Sequence, residues 1–199
     1  MRTRARLLEA ARDVFERDGF LTARIADIAA TAGLSQGSFY TYFDSKEQIF
    51  REVASAQEER LTAPADDQQS RVHGESARAV IRRANRRYLR RYRDAAALMG
   101  VIEQVSRYDD DVSRARIATQ QHFAERAERS IRRLQRDGLA DNKIDAAMAA
   151  DALGAMVARF AELWMVQGYR EYDFEDAVEQ LTRLWANALG LPDEPTVRA

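Results

Sequence analysis

Between Ser35 and Phe43 the chain reads Ser-Gln-Gly-Ser-Phe-Tyr-Thr-Tyr-Phe. Hydrogen-bonding side chains at Gln36, Ser38, Tyr40, Thr41 and Tyr42 are set around two phenylalanines, Phe39 and Phe43, spaced four apart. On a helix that spacing puts both rings on one face. The rings can anchor the segment in a core while the opposite face offers donors and acceptors. A face of this kind suits reading a surface rather than cleaving a bond. The amide of Gln36 can pair bidentately with an adenine edge, and Thr41 can offer a hydroxyl or pack its methyl against thymine. The pattern therefore predicts a short helix entering a DNA major groove, with Gln36 and Thr41 as base readers.

Other chemistry is narrow. The 199 residues include no cysteine, which excludes disulfides, thiolate nucleophiles and cysteine-based metal sites. His73 and His122 are the only histidines, and neither has a partner at metal-ligand spacing on one helix face. No metal site and no cofactor are expected. There is no phosphate-cradling glycine loop, no G-x-S-x-G elbow and no carboxylate isolated in an apolar run, so an enzyme lacks its parts. A helical adaptor for another protein stays as an alternative. The net charge of −1 argues against non-specific coating of nucleic acid. Arg2, Arg4 and Arg6 nevertheless form a locally cationic arm, which could enter a minor groove or remain a solvated tail. No stretch approaches the roughly 20 apolar residues of a membrane span, and the first ten lack a secretory apolar core. A cytoplasmic location without membrane contact is expected.

The elements that must position the polar face are helices. Glycine and proline are scarce, at nine and three, and apolar residues recur at three- and four-residue steps, so the fold class is all-α, with about nine helices. A first helix is predicted over 3–17, with Leu7, Ala11 and Val14 on one stripe and Gly19 as its stop. Thr22 can cap a second helix running through Ala32, which Gly33 ends. Ser35 caps the third, through Phe43, and Asp44-Ser45 opens a fourth toward Arg60. Two short helices joined by Gly-Leu-Ser form a helix-turn-helix. A loop is expected over 62–76, then helices over 76–92, 95–107, 110–137, 144–168 and 174–189, with a loose tail over 192–199. This divides the chain into a DNA-binding domain over 1–47 and a regulatory and dimerisation domain over 48–191.

Over residues 3–50 the sequence resembles the TetR/AcrR family of transcriptional regulators. The resemblance rests on Gly19-Phe20, Asp27-Ile28-Ala29, Ala32-Gly33-Leu34-Ser35, Gly37-Ser38-Phe39-Tyr40, Tyr42-Phe43 and Ser45-Lys46-Glu47. It implies DNA contacts from Gly37, and phosphate contacts from Ser38, Tyr40, Tyr42 and Lys46. Phosphate contacts of this kind fix register rather than sequence. Tyr40 reads equally as a packing residue. Ala23 and Arg24 depart from the hydroxyl residues many members carry there, which shifts the cap to Thr22 and leaves Arg24 as a phosphate or base contact.

One short recognition helix buries too little for tight binding, so a homodimer on palindromic, double-stranded operator DNA is expected. Ala147, Ala150, Gly154, Ala158 and Ala161 form a small-residue stripe, and Phe174, Val178, Leu181 and Trp185 form an apolar face. The resemblance implies a four-helix bundle between subunits from these two helices; packing within one chain is the alternative. It also implies a repressor released by a small apolar or amphipathic effector. Candidate lining residues are Tyr88, Leu89, Met99, Ile102, Glu103, Phe123, Met156, Phe160 and Trp164, each of which also reads as plain core. Arg78, Arg82, Arg83, Arg86, Arg87, Arg90, Arg91 and Arg93 crowd one helix without an intervening acid. They could receive a phosphate-bearing ligand, or form a solvated face paired with acids such as Asp109, Asp110 and Asp111.

Overall fold

The structure is a computed structural model that describes residues 2–63 and 75–192. Among the described residues it holds nine helices and no strand: α1 (Arg2–Thr22), α2 (Ile25–Thr31), α3 (Gln36–Tyr40), α4 (Lys46–Thr62), α5 (Ala77–Asp94), α6 (Ala96–Val105), α7 (Asp110–Arg136), α8 (Ala146–Met165) and α9 (Phe174–Ala188). Most of the loop expected over 62–76, including His73, and nearly all of the expected tail lie outside the described residues. None of the described helices is long and apolar enough to cross a membrane.

Two compact units share the chain. The first comprises residues up to Leu61 together with Ala95–Ala118; the second comprises Thr62–Asp94 together with the chain from Thr119. The boundary expected at 47 is thus displaced, because α4 continues the apolar stripe of the first unit through Ile49, Phe50, Val53, Ala54 and Leu61. Sequence-distant α6 joins this unit by packing on α1.

In the first unit α1 buries Leu7, Ala10, Ala11, Val14 and Phe15, the i, i+3, i+4 spacing of a core-facing helix. Gly19, at φ 73° and ψ 171°, is non-helical and breaks α1 where the stop was expected. The next residues turn again, which brings Phe20 back onto the core. Phe15, Phe20 and Phe50 form a ring cluster, with Phe50 edge-on to Phe15 at 5.0 Å and to Phe20 at 4.9 Å. Such pairs add about 0.5–1.5 kcal/mol beyond the area they bury.

In the second unit α5 packs on α9 and α8. Leu89 and Tyr92 of α5 are buried, as are Val178, Leu181 and Trp185 of α9. Asn85 bridges the two helices by donating to the Thr182 hydroxyl at 3.4 Å, which in turn donates to the Val178 carbonyl at 2.7 Å. That satisfies a polar pair inside the apolar contact. Asp145 caps α8 by accepting from the Met148 amide, and Asp173 caps α9 by accepting from those of Glu175 and Asp176.

Candidate nucleic-acid interface

The platform for the polar face is built by the α2–α3 turn. Gly33 at φ 64° donates to the Ala30 carbonyl at 2.9 Å, and Leu34 donates to that of Ala29 at 2.8 Å. This is the Schellman ending, which needs a residue able to sit at positive φ. Arg6 donates to the neighbouring Ala32 carbonyl at 2.5 Å, so a further orphan acceptor of the helix end is met. Ser35 then caps α3, its hydroxyl accepting from the Ser38 amide at 3.2 Å. Phe39 and Phe43 are both fully buried, with ring centroids 5.7 Å apart, as the four-residue spacing requires. The regular helix ends at Tyr40, and the Phe43 amide still donates to the Phe39 carbonyl at 3.1 Å, so the turn carries the second ring into the core.

With the rings inward, Gln36, Gly37, Thr41 and Tyr42 are exposed and Ser38 is half-exposed. Tyr40 is 52% exposed while its ring stands edge-on to Phe39 at 5.5 Å, so it packs at its base and presents its hydroxyl. The Ser38 hydroxyl lies 3.0 Å from that of Ser35. Thr41 directs its hydroxyl back to the Gly37 carbonyl at 3.4 Å, a weak bond that a better partner can replace. The segment brings together six of the sequence-predicted contacts: Gln36, Gly37, Ser38, Tyr40, Thr41 and Tyr42.

The remaining three are placed differently. Thr22 ends the continuation of α1 and does not cap α2. Arg24 occupies the cap position, with extended backbone and no side-chain cap bond, and its side chain is exposed. Past the break at Gly19 the chain makes a further helical turn through Thr22, and α2 starts at Ile25. Lys46 is turned inward. Its ammonium donates to the carbonyls of Phe20 at 2.7 Å and Ala23 at 2.9 Å and sits 4.7 Å from the centroid of the Phe20 ring. A lysine there closes the orphan carbonyls and complements the negative end of α1. In this structure the Lys46 ammonium serves as a cap.

The cationic arm is corrected in the same way. Arg2 opens α1, Arg4 pairs with Glu52 and lies 5.0 Å over the Phe43 ring, and Arg6 holds Ala32. Two of the three arginines are therefore fixed to the fold. The arm is the first turn of a helix rather than a loose tail. Glu52 follows from no local motif, since its partner lies 48 positions away.

Residues 7–53 match the sequence model of the bacterial regulatory proteins of the tetR family. The HTH-type transcriptional regulator YdgC of Bacillus subtilis is 49% identical over 51 residues, which cover 26% of each chain. This N-terminal segment is that of a tetR-family regulator. Its alignment spans about a quarter of the length of that curated relative. Over the whole fold, a TetR-like transcriptional regulator from Rhodococcus sp. RHA1 superposes with a TM-score of 0.65 at 25% identity, covering 94% of this chain and 96% of the other. The regulator FadR of Bacillus subtilis, solved with stearoyl-CoA, superposes with a TM-score of 0.72 at 14% identity, covering 91% and 96%.

The effector candidates divide between the units. Met99, Ile102 and Glu103 lie in the first, and Tyr88, Leu89, Phe123, Met156, Phe160 and Trp164 in the second. Leu89, Met99 and Ile102 are core, with essentially no exposure. Glu103 is taken by Arg116, with Arg107 at 3.7 Å, so it is not held ready for a ligand. Phe160 and Trp164 form an aromatic cluster with Tyr172. Tyr88 faces Phe123 at 6.1 Å, Met156 is half-buried and His122 is exposed.

The residues predicted for a dimer are mostly consumed within the chain. Ala150 and Ala161 are buried, and a Cβ at Gly154 would lie 3.7 Å from the Phe123 ring. Gly154 lies against Phe123 of α7, and α8 and α9 both pack on α5. Ala147, Ala158 and Phe174 remain half-exposed. What stays outward is Met148, Ala152, Ala155 and Arg159 on α8, and Leu184 and Ala188 on α9.

Proposed function

We propose that this chain is a homodimeric transcriptional repressor that grips a palindromic operator through α3 and is released by a small apolar or amphipathic effector. The observation that carries the reading is the exposed, neutral, hydrogen-bonding face of Gln36, Ser38, Tyr40, Thr41 and Tyr42, held over two buried rings in a segment that matches the TetR family. Gln36 and Thr41 read base edges, and Ser38, Tyr40, Tyr42 and Arg24 hold phosphates. The dimer forms through the outward face of α8 and α9, where Met148 is 72% and Leu184 51% exposed. The effector binds preferentially to a conformation whose two recognition helices are mis-spaced for the operator, and that difference in affinity drives release. The amphipathic class is supported by the stearoyl-CoA bound to the similarly folded FadR.

The test is a gel shift with the DNA upstream of the chain's own gene. A palindrome-specific complex that weakens as salt rises is expected. Gln36→Ala relaxes base preference at one position per half-site, whereas Tyr42→Phe weakens all sequences alike. A chain that shifts no palindrome overturns the reading. Met148→Glu with Leu184→Glu yields monomers in sedimentation, and an intact dimer moves the interface elsewhere.

A further inference from the structure

The arginines of this chain meet their partners in different ways. On α5, Arg82 lies 3.6 Å from Glu179 and Arg86 pairs with Glu175, both of α9; these are surface ion pairs. The partners expected for that run, Asp109 and Asp111, instead bind Arg51. On α1, Arg17 pairs with its own neighbour, Asp18. Arg4 and Arg6 differ from all of these, because what they hold are the two ends of the segment that carries the polar face.

Arg6 holds the start of the segment. Its guanidinium donates to the Ala32 carbonyl, at the negative end of α2. Its Nη2 atom lies 3.0 Å from where a Cβ on residue 33 would stand. Gly33 is therefore required twice: its φ of 64° favours glycine, and its missing side chain leaves the space the guanidinium fills. Asparagine can take the angle but fills the space. Arg4 holds the other end. Its guanidinium lies over the buried Phe43 ring, 5.0 Å from the centroid, and pairs with Glu52 of α4. The helix between these points has five residues and one side-chain cap, too few to fix an orientation by itself. The buried rings Phe39 and Phe43 set its depth. The two arginines add direction, a hydrogen bond at one end and a cation over a ring at the other.

We propose that Arg4 and Arg6 are positioning residues for operator recognition: they brace the segment from Gly33 to Phe43 at its two ends and hold Gln36 and Thr41 at the angle at which these read bases, without touching DNA themselves. The inference rests on the regulator reading. A brace acts by keeping the reading orientation populated. Without it, the apparent affinity for the specific sequence falls with the populated fraction, while binding governed by backbone charge is spared.

The test is fluorescence anisotropy on the full-length chain, comparing the operator found by gel shift with a scrambled duplex of the same length and composition over a range of salt. R6Q, and the charge-neutral pair R4Q/E52Q, lower operator affinity by about five- to ten-fold and scrambled-duplex affinity by less than about two-fold. The slope of log affinity against log salt stays that of the wild type. R6K, which keeps a charged donor at similar reach, recovers most of the loss, and R17Q behaves as wild type. G33N, whose side chain displaces the guanidinium, reproduces the R6Q loss in the wild type and adds less than about two-fold in R6Q, because both remove one bond. A merely structural role lowers both duplexes by one factor, and that result, or additive losses in G33N/R6Q, overturns the brace. A slope that drops by about one unit in R6Q makes Arg6 a phosphate contact and overturns it too. If the wild type shifts no palindrome, amide hydrogen exchange in the free chain decides. Faster exchange at Gly33 and Leu34 in R6Q and at Phe43 in R4Q/E52Q, with the interior of α1 unchanged, supports the brace while sinking the regulator reading; unchanged exchange sinks both.

Discussion

Arg116 in the first unit and Arg87 in the second are both half-buried guanidiniums, and they stand in opposite company. Arg116 has two carboxylates, Glu58 at 3.4 Å and Glu103 closer still, with the Ser106 hydroxyl at 3.1 Å. Arg87 has three arginines. The pattern holds beyond these two residues. In the first unit Arg4, Arg6 and Lys46 each meet an acid or a helix-end carbonyl, so these three cations are taken up internally while Arg24 stays exposed, and the outward face of α3 itself is neutral. A neutral, hydrogen-bonding face selects by geometry, while a crowded cationic one selects for charge.

The largest effect that can break this contrast lies at the anchor of the neutral face. Phe39→Ala removes a fully buried ring and destabilises the first unit by about 3–5 kcal/mol. Operator binding is then lost, and circular dichroism shows lower helicity at moderate urea. Trp164 and Trp185 both lie in the second unit, so their fluorescence keeps its own urea midpoint. A tryptophan transition that shifts equally with the helicity would mean that the two regions unfold together and do not differ in the way described.

Next in size is the acid excess around Arg116. Burial, only partly offset by Arg116 and reinforced by Glu103, pushes the Glu58 carboxyl up from 4.5 to about 7. An acid whose folded value is raised favours folding when protonated. Its contribution is therefore complete below pH 4.5, falls away as pH rises toward 7 and is flat above. The span corresponds to at most about 3 kcal/mol. Glu58→Gln should flatten this part of the stability profile and raise urea midpoints at pH 8 but not at pH 5. An unchanged slope between pH 5 and 7 would show that Arg116 compensates both carboxylates fully.

How much of this was legible in the sequence depended on how local each cause was. Caps and turns are decided within four or five residues, so the cap at Ser35, the turn at Gly33 and nine helices with ends near their observed places followed from pattern, while the caps at Asp145 and Asp173 were not read from it. The polar face of α3 followed from one four-residue spacing. Lys46 did not, because its acceptors lie 23 and 26 positions earlier, and a lysine reads as a surface charge until the end of α1 is placed. The stripe from Ala147 to Ala161 showed that another helix comes close, and nothing in it distinguished a helix of the same chain from one of a second copy. The buried pair at Gln57 and Glu58 did leave a trace, since both continue the apolar stripe of Phe50, Val53 and Ala54.

Lys46→Met sharpens the point at a smaller scale. Removing a charged donor from buried carbonyls costs about 1.5–3 kcal/mol, so the melting temperature falls. If the ammonium is a cap, the slope of log operator affinity against log salt is unchanged in the folded variant. A slope that drops by about one unit would restore Lys46 as a phosphate contact.

The smallest effect on stability comes from Gly37 and is the most informative about the neutral face. Gly37 sits within α3, exposed, at a backbone angle any residue can adopt, and a Cβ there would meet only the Ser35 hydroxyl, at 3.8 Å. Folding alone therefore favours alanine at this position, by up to about 1 kcal/mol. A glycine that the fold does not require leaves room for something outside the chain to approach the backbone between Gln36 and Ser38. Gly37→Ala should thus raise the melting temperature slightly and lower operator affinity by about ten-fold, a loss of about 1.4 kcal/mol. Equal operator affinity in the more stable variant would place the DNA backbone away from this turn, and would leave Gln36 and Thr41 too distant from the groove to read bases as assigned.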